Sequence, residues 1–109
     1  MADDPGARVV DVLLVEDDPG DVVLVREAFK QNKVRNETRV ASDGVFALEQ
    51  LRDPNQTLPD LILLDLNLPR MDGRELLAEI RADARLTHIP VLLVAACLLS
   101  AFGIILLVR

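Results

Sequence analysis

An α/β fold with a doubly wound, parallel sheet is the class this chain predicts. Three observations carry that expectation. The apolar runs at 9–15, 61–64 and 91–96 are nearly continuous. Such runs mark strands buried on both faces, because helices cover both sides of a parallel sheet. Stretches with apolar residues at helical spacing separate them, and turn residues punctuate each junction. A length of 109 residues suffices for one domain.

The elements follow in order. Residues 1–8 read as a flexible tail. Val9–Val15 is the first strand. Asp18-Pro19-Gly20-Asp21 supplies a turn and a helix start, with Asp in capping range and Pro at an early helical position. Val22, Val25 and Phe29 share one helical face, and the helix ends near Gln31-Asn32. Val34–Ala41 is a more polar strand suited to a sheet edge. Ser42-Asp43-Gly44 is a turn, followed by a short helix with Val45, Leu48 and Leu51 on one side. Asp53-Pro54-Asn55-Gln56 closes it. Leu61–Asp65 is the central strand and residues 69–73 a loop. Leu76, Leu77 and Ile80 mark the next helix, with Glu75 and Glu79 on its wet side. Thr87-His88-Ile89-Pro90 leads into Val91–Ala96.

Composition narrows the function. Half of the residues are apolar and 28% are charged, which suits a globular domain. The net charge of −6 comes with no basic stripe, which argues against nucleic-acid binding. Cys97 stands alone, so no disulfide framework is available and a reducing, cytoplasmic setting is expected. The acidic start, Met1-Ala2-Asp3-Asp4, is unlike a secretory signal. Every acidic residue precedes His88, and residues 89–109 carry one charge, Arg109.

Two of the buried strands end in acids. The first runs into Glu16-Asp17-Asp18, and the central one delivers Asp65. In open α/β sheets the carboxyl edge is where ligands bind. Crowded carboxylates repel, so one must protonate or a cation must join them. Oxygen donors suit a hard divalent cation, Mg²⁺ before others. Each acid taken alone reads as turn or capping chemistry; their coincidence at the ends of neighbouring strands points to a site. His88 reads as a loop residue. Arg70 and Arg74 read as solvent-facing, and Arg81 and Arg85 as helix-end cations needing no partner.

Val15-Glu16-Asp17-Asp18-Pro19 and the stretch from Asp60 through Asp65 to Pro69-Arg70-Met71-Asp72-Gly73 resemble the receiver domain of bacterial two-component response regulators. The resemblance covers roughly residues 9–95, within a receiver domain expected over 9–96. Its finer features resemble single-domain, chemotaxis-type receivers, above all those paired with phytochrome-type histidine kinases. It implies a flavodoxin-like sheet in the order 2-1-3-4, with a fifth strand that the sequence does not establish. It also implies roles. Asp65 would accept a phosphoryl group from a histidine kinase or phosphotransfer protein. Asp17, Glu16, Asp65 and the backbone carbonyl of Asn67 would hold Mg²⁺. Pro69, Met71 and Gly73 would shape the loop after the acceptor. Asp18 falls one position past the matching pair and reads as a helix cap. No enzymatic activity is implied beyond Mg²⁺-dependent self-phosphorylation from a phosphodonor and autodephosphorylation.

The chain departs from the family near its end. The Ser or Thr expected after the fourth strand is Ala95, and the Lys ending a fifth strand is not recognisable. Residues 97–109 form an atypical apolar segment open to three readings. A truncated or out-of-register tail is favoured. A replacement strand over Gly103–Val108 comes second, although its linker is too short for a helical crossover. A membrane helix over 91–108 comes last. Three consequences are expected: a weak or absent phosphorylation switch, slower phosphotransfer, and self-association through an open fourth-strand edge or the C-terminal segment. The runner-up function is a pseudo-receiver or defective receiver fragment acting as a phosphorylation-independent interaction module. A small phosphohydrolase ranks lower, because position 67 is Asn where an acid would be needed.

Overall fold

Val12, Leu13, Leu14 and Val15 are all fully buried, because the strand they form is sandwiched on both faces. This strand, β1 (Val10–Val15), leads into α1 (Pro19–Gln31), β2 (Asn36–Ala41), α2 (Gly44–Arg52), β3 (Leu61–Asp65), α3 (Gly73–Ala82), β4 (Val91–Val94) and β5 (Ile105–Val108). The computed structural model describes residues 8–66 and 68–94, and the strand backbone of residues 105–108.

The strands form one sheet in the order β2-β1-β3-β4-β5. The first four are parallel, with Val15 opposite both Ala41 and Leu64, and Asp65 opposite Val94. Successive side chains leave a strand on opposite faces, and the core divides accordingly. Leu13, Val15, Ile62, Leu64 and Val91 pack with Leu48, Leu51, Leu76 and Ile80 of α2 and α3. Val12, Leu14, Leu63 and Val94 pack on the other face with Val25 of α1, supported by Val22 and Phe29. The α1 face is the one its spacing predicts.

Capping chemistry sets each helix start. Asp18 Oδ1 accepts the Gly20 N–H at 2.8 Å with Pro19 opening α1. Asp43 Oδ1 accepts from Phe46 N–H and Asp72 Oδ1 from Glu75 N–H, at 2.8 and 2.9 Å. Each cap satisfies an orphan donor of a first turn. α2 therefore begins at Gly44, one residue before the apolar pattern. β1 and β2 begin at Val10 and Asn36 rather than Val9 and Val34. Val9 and Val34 are exposed, so periodicity alone could not exclude them.

The C-terminal region corrects two expectations. β5 exists, and it is antiparallel, with Val91 opposite Val108 and Val94 opposite Ile105. A parallel return needs a crossover of about a dozen residues or more, whereas an antiparallel neighbour needs only a short connection. The sheet is thus parallel in four strands and antiparallel in the fifth. β4 is consequently no open edge, being paired on both sides. Strands at both ends of 91–108 also replace the membrane-helix reading there. Among the described residues no helix is long and apolar enough to cross a membrane. Residues 1–7, Ala95, Ala96, Cys97 and Arg109 lie outside the described residues.

Candidate metal and phosphoacceptor site

The register decides where the acids meet. β1 and β3 are adjacent and end level, Val15 opposite Leu64, so Glu16 and Asp17 leave β1 beside Asp65 at the end of β3. One carboxylate oxygen from each of Glu16, Asp17 and Asp65 lies within 4.8 Å of the others. Their environments differ. Asp17 is exposed, Asp65 is half-buried, and Glu16 is only 1% exposed.

Glu16 is held by its backbone and one oxygen. Its N–H donates to Ala41 O at 3.0 Å, which continues the β1–β2 ladder. Oε1 accepts the Asp18 N–H at 3.1 Å. Oε2 is buried and has no hydrogen-bond partner among the described residues. Burial pushes the Glu16 carboxyl up to about 8, the nearby charge of Asp65 adds to this, and the Asp18 N–H works against it. A buried acceptor oxygen without a donor, beside two further carboxylates, fits a cation. The all-oxygen donor set suits a hard divalent ion.

Asp21, which the sequence presents only as part of a turn, belongs to this environment. It sits in the first turn of α1, and its carboxyl is raised by desolvation and then by the charges of Asp18, Asp65 and Asp17. The signal is its place three residues after the cap Asp18, in the first turn of the helix. A shallow cleft beside the acids is lined by Glu16, Asp17, Pro19, Val22, Val40 and Ser42. Asp18 is a cap, as its position suggests.

The loop after β3 returns to α3 through a hydrogen bond from Gly73 N–H to Leu66 O at 3.0 Å. Pro69 is exposed, Met71 packs against the α2–α3 core, and Gly73 is buried at the start of α3. Asn67 and Ala95 lie outside the described residues. Arg70 is exposed, as its position suggests, and its Nε lies 3.6 Å from Asp43 Oδ1. Arg81 likewise has partners: its Nη1 donates to Thr87 O at 2.9 Å and Ile89 O at 3.3 Å. That tether fastens the end of α3 to the loop entering β4, a use that helix-dipole reasoning does not anticipate.

The model of the response regulator receiver domain matches residues 12–98. This chain belongs to the response regulator receiver family. Response regulator Rcp1 of Synechocystis sp. is 45% identical over 84 residues, covering 73% of this chain and 57% of that protein. The chemotaxis protein CheY-3 of Vibrio cholerae is 43% identical over 61 residues, covering 56% of this chain and 45% of that one. Among solved structures, the Mn²⁺-bound form of Rcp1 overlays with a TM-score of 0.72 at 43% identity, covering 77% of this chain and 63% of that one. The phosphorylated cyanobacterial phytochrome response regulator RcpA overlays with a TM-score of 0.72 at 44% identity, covering 79% and 64%. The receiver chain thus spans less than two thirds of the length of these relatives.

Proposed function

We propose that this receiver is the phosphoacceptor of a histidine-to-aspartate phosphorelay, with Asp65 as acceptor and Mg²⁺ as the working cation. The observation that carries the reading is the meeting of Glu16, Asp17 and Asp65 around a buried carboxylate oxygen that lacks a donor. Kinship with a phosphorylated receiver and with a Mn²⁺-bound one supports it.

The chemistry is a displacement at phosphorus. A carboxylate oxygen of Asp65 attacks the phosphoryl group of a phosphohistidine. The N–P bond breaks, its electron pair returns to the imidazole, and a mixed carboxylic–phosphoric anhydride forms on Asp65. A bound divalent cation supplies positive charge against the transferring phosphoryl oxygens. Glu16 and Asp17 would hold that cation beside the acceptor. The rigid ends of β1 and β3 fix the spacing before reaction, so little reorganisation is needed.

The partner class is a sensor histidine kinase or phosphotransfer protein, of the kind that serves phytochrome response regulators. The chain itself has no turnover role beyond accepting a phosphoryl group from a phosphodonor and losing it to water. The matching setting is the cytoplasm. Phosphoryl incorporation from acetyl phosphate tests the reading. The product should be hydroxylamine-sensitive, as an acyl phosphate is, and Asp65→Asn should abolish it. Equal incorporation in Asp65→Asn would overturn the assignment.

A further inference from the structure

The loop of residues 66–72 leaves Asp65 and re-enters the fold at Gly73. Its last part, Arg70 and Met71, rests on a different element. Gly44, the first residue of α2, lies under Met71: a Cβ at position 44 would stand 2.9 Å from Met71 Cβ and closer still to the Met71 carbonyl oxygen. Both of those atoms belong to or adjoin backbone, so no flexible side-chain tip can yield. One residue earlier, Asp43 faces the Arg70 guanidinium across 3.6 Å. Arg70 has φ of 68°, a left-handed conformation that side chains disfavour. Such conformations persist where their surroundings hold them, and they gather at functional sites. The holds are visible here. Met71 N–H donates to Pro69 O at 2.7 Å, the Met71 carbonyl sits over Gly44, and Arg70 pairs with Asp43.

We propose that the Asp43–Gly44 turn is the seat of the β3–α3 loop, and that Gly44 is a positioning residue for Asp65. This inference rests on the phosphoacceptor reading. The seat draws on three elements, because the turn ends β2, opens α2 and receives the segment that follows β3. It keeps the loop from swinging against the acids, so the loop's backbone stays where a cation and a phosphoryl group must fit. Glycine is needed for closeness of approach, not for left-handed backbone.

The test compares the 109-residue wild type with Gly44→Ala and Asp43→Asn. Asparagine keeps an oxygen for the Phe46 N–H and removes the charge facing Arg70. Circular dichroism reports the fold. Electron paramagnetic resonance reports affinity for Mn²⁺ alone. Initial incorporation from acetyl phosphate in Mg²⁺ reports the reaction. A folded Gly44→Ala should lose roughly ten- to a hundredfold in initial rate, the scale of an ångström misplacement, and should bind Mn²⁺ more weakly. Asp43→Asn should move both readouts the same way by less. A folded Gly44→Ala with wild-type rate and Mn²⁺ affinity overturns the proposal. If Gly44→Ala does not fold, Asp43→Asn decides: a loss supports the seat, and unchanged readouts overturn it. A wild type that takes no phosphoryl group contradicts the functional reading instead, and Mn²⁺ affinity across the variants then decides the seat alone.

Discussion

Gly73 packs directly on the backbone of Asp65: a Cβ at position 73 would stand 2.6 Å from the Asp65 carbonyl oxygen and 2.6 Å from Leu66 Cα. The first residue of α3 and the last of β3 therefore share one steric constraint. Gly73→Ala must push the helix start away from the acceptor strand. It should cost about 1–3 kcal/mol, as forced overpacking does, read from the urea midpoint. Because the displaced atoms are the carbonyl of Asp65 and the Cα of the residue after it, phosphoryl incorporation should fall further than the loss of stability explains.

The buried Glu16 carboxyl makes metal-free stability depend on pH in a stated direction. Its folded value is about 8 against an ordinary 4.5, raised first by burial. Between those values the folded chain holds a proton that the unfolded chain has released. The associated stability is full below about pH 4.5 and is lost as pH rises through about 8. Urea midpoints taken in EDTA should therefore fall across that window. Glu16→Gln should flatten the slope, since glutamine keeps the shape and carries no charge. Saturating Mg²⁺ should also oppose the slope, because it binds the deprotonated form.

Arg81 offers a contrast, since its work is structural. Its guanidinium satisfies the carbonyls of Thr87 and Ile89 from the end of α3. Arg81→Met keeps much of the stem packing and removes the donors. It should cost about 1–3 kcal/mol, the penalty of stranded acceptors, measured by urea unfolding. Mn²⁺ affinity should stay at the wild-type level, because the bonds described for Arg81 run to the loop that enters β4.

Much of this architecture is legible in the chain because its signals are local. Continuous apolar runs mark β1, β3 and β4, and Asp18-Pro19 marks the start of α1 by capping chemistry. The acid trio is legible because strand ends and strand adjacency together place Glu16, Asp17 and Asp65. Apart from Asp21, the unread features are long-range. Nothing in the local pattern says that Ile105–Val108 returns antiparallel beside β4. The approach of Gly44 to Met71 joins positions 27 apart in sequence, and both read locally as ordinary turn residues. Arg81 looks like a helix-dipole cation until the loop entering β4 folds back over it. The raised carboxyl of Glu16 follows from burial, which the adjacent Asp17, exposed one residue later, does not share.

Intact-mass spectrometry tests the central claim most directly. Wild type and Asp65→Asn would each be incubated with acetyl phosphate, in Mg²⁺ and in EDTA, after circular dichroism shows both to be folded. The account predicts a gain of one phosphoryl group in wild type with Mg²⁺ only, mapped to the peptide containing Asp65. A gain that persists in Asp65→Asn, or no gain in folded wild type with Mg²⁺, would contradict it.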